Sequence, residues 1–552
     1  MNIKKNLLIR FFLPAILLPV AGGFAAFTLL PDLFEIRKNK EILSTLFEEV
    51  NLEYVDEVSP SRLMRTSVEA MLSSLDPYTV YFSESEVSDA RMENAVAFGG
   101  IGASLHQKED FVAIGTVHEN GAAQAAGLLP GDLIVAINGR NAKGRTVEQV
   151  EAFLNGQAGA AIRLTLTRNG QQVEKTLSRK EASRSNLAWH GMIDENTGYI
   201  KLSHFGPGTA GEFGKALTEL KTKSLENLVI DLRDNPGGIL QEAVGLCNLF
   251  VEKGQLIVST KGKNPANNRS FSTMAEAIDT NIAISVLLNS RSASASEIVA
   301  GAFQDLDRAV IVGQRSFGKG LVQVNKPLPY NAQLKVTIAK YYIPSGRCIQ
   351  ALDYTHRNPD GSVGKVPDSL VSDFKTRNGR LVRDGGGILP DIVVDRPSAP
   401  AVVQSLLDKG LIFDYATLYR QRHDSIARPR DFELTEKDYK DFTDFLSGKD
   451  YSYTTESERL LEKYRETAVT EDYFDALEDD FDSMRQQLAG AKKYDLQHHR
   501  EEIKNLLEEE IAARYYYQSG RLQASFPEDR ELQQALKVLD NPASYSEVLT
   551  VK

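Results

Sequence analysis

Residues 285–306 read SVLLNSRSASASEIVAGAFQDL and pass from one kind of pattern to another. The first residues form an apolar run typical of a buried strand, and small residues then lead into an amphipathic helical pattern. Similar apolar runs, NLVIDL at 227–232 and AVIVG at 309–313, alternate with helical stretches on either side. Alternation of buried strands with helices indicates βαβ units. Residues 183–398 are therefore predicted to form an α/β domain with a parallel or mixed sheet.

The rest of the 552-residue chain divides into regions of different pattern, and its length is enough for three or four domains. Residues 33–96 carry helical patterns that a turn-like SSLDPYTVYF interrupts. Residues 97–182 change to short alternating runs punctuated by Gly, Asn-Gly and Pro, which predicts a small, mostly β domain. Residues 399–552 are helical in pattern, with charged faces and apolar stripes. The fold class is thus α/β, with an inserted β domain and helical regions at both ends.

The charge of the chain is concentrated near its C-terminus. The formal net charge is −11, and residues 431–510 hold 24 Asp and Glu against 11 Lys and Arg. An acidic balance disfavours nucleic acid as a partner. None of the eight histidines forms a metal-binding motif such as H-E-x-x-H, and Cys247 and Cys348 lie in apolar surroundings typical of buried thiols. The sequence therefore predicts no metal and no cofactor.

The N-terminus has the pattern of a targeting segment. Lys4, Lys5 and Arg10 precede an uncharged, largely apolar run of 20 residues at 11–30. About 20 residues can cross a bilayer, whereas the apolar part of a cleaved signal is usually about 7 to 15 residues long. A buried core helix is the alternative. Residues 1–32 are therefore predicted to be a signal peptide or membrane anchor, with the remainder exported to the periplasm.

Ser294 stands where the strand of the opening stretch meets its helix. The tetrad from Ser294 to Glu297 matches S-x-x-E, so Ser294 is a candidate N-cap whose hydroxyl accepts a backbone N–H. The small neighbours Ala293 and Ala295 leave the hydroxyl uncrowded, and a helix N-terminus favours developing negative charge. Ser294 is thus a candidate for either role, a cap or a nucleophile.

A serine nucleophile needs a base, and Lys319 is the candidate. It lies in GQRSFGKG at 313–320, which resembles a phosphate-binding loop but has Gly320 where a Ser or Thr is required. An extended pattern follows, whereas a phosphate loop opens a helix. Lysine acts as a base near neutral pH only when burial brings its pKa to about 7 or 8. Phe317, Leu321 and Val322 are expected to supply that burial; the alternative is a surface lysine on a glycine turn.

Four more residues complete the predicted site. Gln323 is expected to accept a hydrogen bond from the lysine amine if the chain bends, and the bend is expected at Gly320. Gly237 and Gly238 in DLRDNPGG, together with Ala295, are candidates for the backbone N–H donors of an oxyanion hole. Asn-Pro-Gly-Gly is also a favourable turn with no further role.

Five segments together closely resemble the C-terminal processing peptidases, also called tail-specific serine proteases: LDPYTVYF, DLRDNPGG, SASASEIVAGAFQD, GQRSFGKGLVQ and YYIPSGRCIQ. The resemblance covers residues 40 to 395. It implies a crotonase-like α/β protease core, completed with residues from 33–96, and a PDZ domain at 97–182. It implies that Ser294 is the nucleophile, that Lys319, 25 residues later, is its base, and that Gln323 is the matching glutamine.

The resemblance also implies a binding site for substrate C-termini. FGGIGASL would be the carboxylate loop of the PDZ domain, and consecutive amides of Gly100, Ile101, Gly102 and Ala103 can hold a carboxylate. The predicted function is a serine endopeptidase that recognises protein C-terminal tails. The alternative is a noncatalytic PDZ adaptor on a protease-like scaffold. The acidic helices are candidates for binding a partner or forming a homo-oligomer.

Overall fold

The computed structural model describes residues 33–87, 98–181, 185–395 and 398–550, and it divides into two units, 1–81 and 82–552. In the first unit, helices α1 (33–53) and α2 (Pro60–Ser73) lead to strand β1 (Val80–Phe82), which runs into the second unit. These two helices contain no buried residue. Within the described residues, no helix is long and apolar enough to span a membrane, and the predicted anchor at 11–30 lies outside them.

The β domain predicted at 97–182 consists of short strands and two helices. Its elements are β2 (Phe98–Gly100), β3 (Ala103–Lys108), β4 (Phe111–Val117), α3 (Ala122–Ala125), β5 (Leu133–Ile137), β6 (Arg140–Asn141), α4 (Val147–Leu154), β7 (Gly156–Gln157), β8 (Ala161–Arg168), β9 (Gln171–Ser178) and β10 (Lys180–Glu181). The main antiparallel sheet has the order β3-β4-β5-β8-β9. Burial alternates along β8, and the side chains of Ile162, Leu164 and Leu166 lie in the core of this domain.

The α/β region begins with a six-stranded mixed sheet, the core sheet. Its elements are β11 (Leu187–Met192), β12 (Thr197–Leu202), α5 (Thr209–Lys221), β13 (Asn227–Asp231), α6 (Leu240–Asn248), β16 (Ala283–Leu288), α7 (Ala295–Asp305), β17 (Val310–Gly313) and β24 (Ile392–Val393). The order is β11-β12-β13-β16-β17-β24, in which β11 is antiparallel to β12 and all other pairs are parallel. Every residue of β13 is buried, as expected for a central parallel strand. The expected parallel or mixed sheet is confirmed.

A second, antiparallel sheet, the cleft sheet, contains β14 (Leu256–Lys261), β15 (Arg269–Ser272), β18 (Leu321–Pro327) and β19 (Gln333–Tyr342). Two hairpins follow, β20 (Leu352–Arg357) with β21 (Val363–Lys365), and β22 (Asp373–Lys375) with β23 (Leu381–Arg383). The remainder is helical: α8 (Ala401–Asp408), α9 (Leu411–Arg422), α10 (Glu436–Phe445), α11 (Glu456–Thr470), α12 (Glu478–Lys492), α13 (Asp495–His498), α14 (Arg500–Ser525), α15 (Arg530–Leu539) and α16 (Pro542–Val548).

The last helices return to the core sheet, which the sequence did not reveal. Helices α5, α6 and α7 cover one face of that sheet with a large apolar cluster. A separate cluster joins Tyr199, Val229 and Leu287 of the sheet to Phe526 and Leu532 of the C-terminal segment. Residues 526–549 of the C-terminal helical region therefore pack on the core sheet.

Candidate functional site

Three loops leave the same edge of the core sheet. Asp231 at the end of β13 is in register with Leu287 of β16, and Leu288 is in register with Gly313 at the end of β17. In parallel sheets the carboxyl ends of the strands are where ligands are usually bound. The loops that follow these strands line a cavity of about 790 Å³, and its lining includes all six predicted catalytic and oxyanion residues: Gly237, Gly238, Ser294, Ala295, Lys319 and Gln323.

Ser294 has a backbone conformation that is rare for a residue with a side chain. Its φ is 56° and its ψ is −113°, and the next residue, Ala295, opens helix α7. Strained positions of this kind often lie at active sites, where the surrounding structure holds them. An ordinary N-cap residue instead lies in the β region of φ and ψ. The Glu297 amide donates to the Ser294 backbone carbonyl at 2.9 Å, so this amide has an acceptor other than the hydroxyl.

The Glu297 carboxylate joins the turn that contains Ser294 (the serine turn, residues 292–295) to the loop that contains Lys319 (the lysine loop, residues 314–320). Its Oε2 accepts hydrogen bonds from the backbone amides of Ser294 and Lys319, at 2.8 and 2.9 Å. Its Oε1 accepts from the Ser316 hydroxyl at 2.5 Å and from the Gly318 amide at 2.7 Å. The side chain is fully buried, and burial raises the pKa of Glu297 while these donors oppose the rise. One carboxylate therefore fixes the backbone at Ser294 relative to the backbone at Lys319.

Tyr341 of β19 forms a second link between the same two segments. Its hydroxyl lies 2.6 Å from the Lys319 carbonyl oxygen and 3.2 Å from the Ser294 carbonyl oxygen. The side chain is buried, and burial raises the pKa of Tyr341, so the hydroxyl keeps its proton at neutral pH. The positions of Ser294 and Lys319 are thus set from two sides, by a carboxylate and by a phenol.

The surroundings of Lys319 match the sequence prediction in part. Lys319 is half-buried, and both Leu321, which is buried, and Val322 line the cavity with it. Phe317 was expected to help cover the amine, but this was wrong: its side chain is 48% exposed and is not part of the cavity lining. The extended strand β18 follows Gly320, as the sequence predicted when it disfavoured a phosphate-binding loop.

Gln323 lines the cavity from strand β18. Its side-chain amide donates to the Thr337 hydroxyl of β19 at 3.1 Å. A bend at Gly320 was expected to bring Gln323 toward Lys319. The hairpin of β18 and β19 does contain an irregularity, but its register shifts between Val322 and Gln323. A bulge of this kind re-aims side chains near it.

The loop that follows β13 and contains Gly237 and Gly238 (the glycine loop) lies directly against the serine turn. A Cβ atom on Gly237 would stand 2.6 Å from the Ala293 carbonyl oxygen and 2.7 Å from the Ser294 Cβ, and the φ of Gly237 is 95°. The Gly237 amide donates to the Asn235 side chain at 2.9 Å, so it is already engaged. Two candidate donors for an oxyanion remain, Gly238 and Ala295. The Ala295 amide belongs to the first turn of α7, where amides have no acceptor within the helix.

Asn235 holds the glycine loop in place, and sequence reasoning missed it. The residue is fully buried, and its side-chain amide donates to the Leu202 carbonyl at 3.1 Å. Its backbone carbonyl accepts from the Ala293 amide at 3.0 Å and from the Ser296 hydroxyl at 3.1 Å. Asn235 therefore ties the glycine loop both to β12 and to the serine turn.

The three linking residues differ in how visible they were in the sequence. Glu297 was visible as the acidic member of S-x-x-E, but that pattern predicts only a cap. Asn235 stands before Pro in a turn motif, where a side chain commonly bonds to the backbone two residues later. Tyr341 gave no local signal because its partners are 22 and 47 residues away in sequence.

The predicted carboxylate loop lies between β2 and β3. Gly100 pairs with Lys180, and Ala103 begins β3 in register with Val117. Ile101 is buried in the core of the β domain, and Gly102 has a φ of 71°. Among the strands that the structure describes, β3 pairs only with β4, and helix α4 lies beside β3. A free strand edge next to a helix is an arrangement that can add an extended peptide as a further strand.

The described parts of the chain hold no group of three or more His, Cys, Asp or Glu side chains arranged for a metal ion. Both cysteines are free thiols; Cys247 is buried and Cys348 is partly buried. Burial raises the pKa of each thiol, which makes a reactive thiolate unfavourable. Neither cysteine lines the cavity that holds Ser294 and Lys319.

Models of known protein families match three parts of the chain. A model described as peptidase family S41 matches residues 196–358. A PDZ domain model matches residues 114–168. A model described as a probable PDZ-protease, C-terminal helical domain, matches residues 402–539. The three matches fall on the core and cleft sheets, the β domain and the C-terminal helices, respectively.

Individual proteins are similar over much of the chain. A carboxy-terminal-processing protease of Bartonella bacilliformis is 34% identical over 350 residues, which cover 61% of this chain and 80% of that protein. Carboxy-terminal processing protease CtpB of Bacillus subtilis is 33% identical over 322 residues, covering 56% and 66%. A solved structure of a photosystem II D1 C-terminal processing protease is 25% identical, with a TM-score of 0.37, and covers 64% of this chain and 86% of that one.

Proposed function

We propose, because this chain belongs to the carboxy-terminal processing proteases of peptidase family S41, that it is a serine endopeptidase that cleaves protein tails through a Ser-Lys dyad. In this proposal the Lys319 amine removes the proton of the Ser294 hydroxyl. The serine oxygen then attacks the scissile carbonyl carbon. The protonated amine next gives its proton to the leaving nitrogen, and an acyl-enzyme ester forms on Ser294.

The second half of the reaction uses the same groups. Lys319 takes a proton from water and the resulting hydroxide attacks the ester. The protonated amine then gives its proton to the serine oxygen as the new carboxyl terminus leaves, which restores the Ser294 hydroxyl and the neutral amine. The amides of Gly238 and Ala295 would donate to the negative oxygen of each tetrahedral intermediate. Gln323 would hold the lysine amine in position. Gly237 was expected to donate to the oxyanion as well, but we do not assign it that role, because its amide already donates to the Asn235 side chain.

One observation carries this proposal: a single oxygen of the buried Glu297 carboxylate accepts hydrogen bonds from the amides of both Ser294 and Lys319. Two residues 25 positions apart are thereby held at one wall of one cavity. The bond from the Ser294 amide alone is half of a capping box, but a serine that only caps a helix does not require the bond from the Lys319 amide. Proximity of nucleophile and base is the first geometric requirement of nucleophilic catalysis.

The β domain would deliver the substrate. We infer that the amides of residues 100–103 bind the terminal carboxylate and that the tail adds to the free edge of β3. We also infer that the protein is exported to the periplasm and held at the membrane by residues 11–30. Its substrates would then be exported or membrane-associated proteins with free C-termini.

The test is cleavage of a denatured protein by the full chain, with product termini mapped by mass spectrometry. Ser294→Ala and Lys319→Ala should each reduce turnover at least about a thousandfold while the chain stays folded. Ser290→Ala and Lys340→Ala are the controls, since both residues are exposed and neither lines the cavity. Normal turnover by either dyad variant would overturn the assignment. Peptide binding without hydrolysis by the folded wild type would support the adaptor function instead.

The pH profile is a second test of the base. The value of kcat/KM should rise with pH over the range in which an amine base loses its proton, because only the neutral amine accepts the serine proton. The measurement uses a peptide without titratable side chains, between pH 5 and pH 9. A rate that does not change across that range contradicts an amine base.

A further inference from the structure

The cavity extends from Ser294 along an edge strand. Six consecutive residues of β18, from Leu321 to Lys326, line it. Among the described strands β18 pairs with β19 alone, so its second edge is open to pairing. An extended peptide that adds to such an edge runs parallel to the strand axis, at about 3.3 Å per residue. If the scissile bond of a substrate lies at Ser294, the substrate residue that reaches Lys326 is therefore several positions away from that bond.

The far part of this cavity is positively charged. Lys326 of β18 and Lys335 of β19 line it and lie on neighbouring strands near the same end of the hairpin. A third cation of the cavity wall, Arg269 of β15, lies nearer to Ser294, because it is in register with Thr260, which is in register with Tyr341. Within the described residues none of the three has a carboxylate within 4.0 Å of its charged nitrogens, although 28 other ion pairs are present. These three cations are thus unpaired at the wall of the proposed cleft.

The charge of the cleft sheet is opposite to that of the whole chain. Strands β14, β15, β18 and β19 carry five Lys or Arg and not a single Asp or Glu, while the whole chain has a formal net charge of −11. A cleft lined by charges of one sign concentrates ligands of the opposite sign and is only partly screened by salt. The ligand chemistry that this arrangement recognises is a carboxylate.

We propose that the cleft selects substrates that carry a carboxylate about five to seven residues from the scissile bond, held by Lys326 and Lys335. This inference rests on the proposed protease function. Leu321 is two residues after Lys319, and Lys326 is five residues, or about 17 Å, further along the strand. The carboxylate has two possible sources: an Asp or Glu side chain of the substrate, or the C-terminus of a tail that ends at that distance from the bond.

The experiment measures kcat/KM of the full-length wild type on synthetic peptides. The parent is a neutral peptide around a bond that the enzyme cleaves in a denatured protein. A single Glu is placed in turn at each position from the second to the eighth residue on either side, and each peptide is compared with its Gln counterpart. Glu should be preferred about fivefold or more at positions five to seven on one side, mainly through KM, and the preference should fall in 0.5 M salt.

A second set of peptides distinguishes the two sources of the carboxylate. Neutral peptides end either six or twelve residues after the bond, each with a free or an amidated C-terminus. A loss on amidation that is confined to the shorter peptide assigns the cleft to the terminal carboxylate. If amidation lowers kcat/KM equally at both lengths, the terminal carboxylate is bound by the PDZ domain. The preference for Glu within the peptide then decides whether the cleft binds a carboxylate.

Variants identify the residues responsible. Lys326→Gln and Lys335→Gln should each reduce the ratio of kcat/KM for the Glu peptide to that for the Gln peptide. Lys326→Glu should reverse the charge preference, so that a peptide with Lys at the same position is cleaved better than one with Glu. Lys340→Gln is the matched control, because Lys340 is an exposed lysine of the same strand as Lys335 and does not line the cavity. A ratio near one in the wild type at all positions, together with no effect of amidation at the shorter length, overturns the proposal. Failure of the wild type to cleave any peptide or protein is a different result, and it overturns the protease function itself.

Discussion

At the scale of single residues, the candidate site depends on how backbone amides are held. Glu297 accepts four hydrogen bonds in a fully buried position, and two of these come from the backbone amides of Ser294 and Lys319 themselves. A buried carboxylate is costly unless such donors compensate for its lost hydration. Its position is therefore best explained by the positioning of Ser294 and Lys319, since a simple cap requires no burial.

Glu297→Gln tests this positioning role. A glutamine keeps the shape but replaces one accepting oxygen by an NH₂ donor, so two of the four donors lose their acceptor. Unsatisfied buried groups cost about 1–3 kcal/mol each, and we expect a fall in kcat of about 10- to 100-fold and a lower melting temperature. Ser316→Ala is the control, because it keeps the carboxylate; it removes one donor to Glu297 and the acceptor of the Ile388 amide. Wild-type kcat in a folded Glu297→Gln protein would show that the bridge has no catalytic consequence.

Gly237→Ala tests the close approach of the glycine loop to the serine turn. The added methyl group would stand 2.6 Å from the Ala293 carbonyl oxygen, and a φ of 95° is unfavourable for alanine. We expect cleavage of the denatured protein to fall at least about tenfold. Gly254→Ala is a matched control, since Gly254 has a φ of 86° and no atom within 4 Å of the added Cβ. Equal losses in the two variants would mean that backbone strain alone, and not contact with the serine turn, is responsible.

The individual site residues were largely predictable, and the links between them were not. Ser294, Lys319 and Gln323, which line one cavity, were singled out from sequence motifs and the family resemblance, because a nucleophile and a base require particular residue types. Tyr341 and Asn235 were missed because their roles depend on tertiary contacts that leave no local pattern. The prediction for Phe317 was wrong because apolar neighbours in sequence alternate in direction along extended chain, and only some of them face the cavity.

At the scale of elements, the PDZ domain is attached to the C-terminal helices through β3 and α9. Lys108 pairs with Asp414 at 2.5 Å, and the His106 ring packs edge-on against Phe413 with 4.4 Å between centroids. Helix α14 adds Tyr517, which packs on the core of the PDZ domain from a kink where its own φ is 58°. The strand that carries the candidate peptide edge is therefore also the strand that the helices hold.

Acidification should loosen this contact. Burial, together with Lys108 and Arg514, lowers the pKa of His106, while Asp414 and Glu510 oppose the change. The folded protein therefore binds this proton less readily than the unfolded chain does. The stability that neutral His106 contributes is complete above its ordinary pKa of about 6.5 and is lost as the pH falls from that value through the lowered pKa of the folded protein.

Hydrogen exchange of the backbone amides of β3 and α9 measures this effect. After correction for intrinsic exchange rates, protection should be lower at pH 5.5 than at pH 7.5. In His106→Phe, which keeps a ring against Phe413 and does not titrate, the difference between the two pH values should be smaller. The same pH difference in the variant and the wild type would assign the effect to other groups.

At the scale of the whole molecule, the order of elements along the chain hides what belongs to the protease core. The α/β pattern of residues 183–398 predicted the core sheet and its parallel strands, because buried strands and amphipathic helices have distinct periods. It did not predict that residues 526–549 cover the sheet. Arg233 donates to Asp529 at 2.6 Å and to Asp231 at 2.7 Å, and it lies two residues before Asn235 in the glycine loop. The C-terminal segment thus contacts the sheet immediately before the loop that lines the cavity of the candidate site.

Leu532→Ala tests whether the C-terminal segment is part of the core. Leu532 is fully buried against the core sheet, and such truncations cost about 2–5 kcal/mol. Trp189, the only tryptophan, lies 5.6 Å from the Phe526 ring, so its fluorescence reports both the sheet and the segment. We expect the Leu532 variant to unfold at a lower urea concentration than the wild type when unfolding is followed by this fluorescence. We also expect it to lose cleavage activity near that lower concentration. Leu460→Ala, at a position that is 58% exposed on α11, should change stability by no more than about 0.5 kcal/mol. If the segment were an independent extension, the Leu532 variant would leave the Trp189 transition where it is in the wild type.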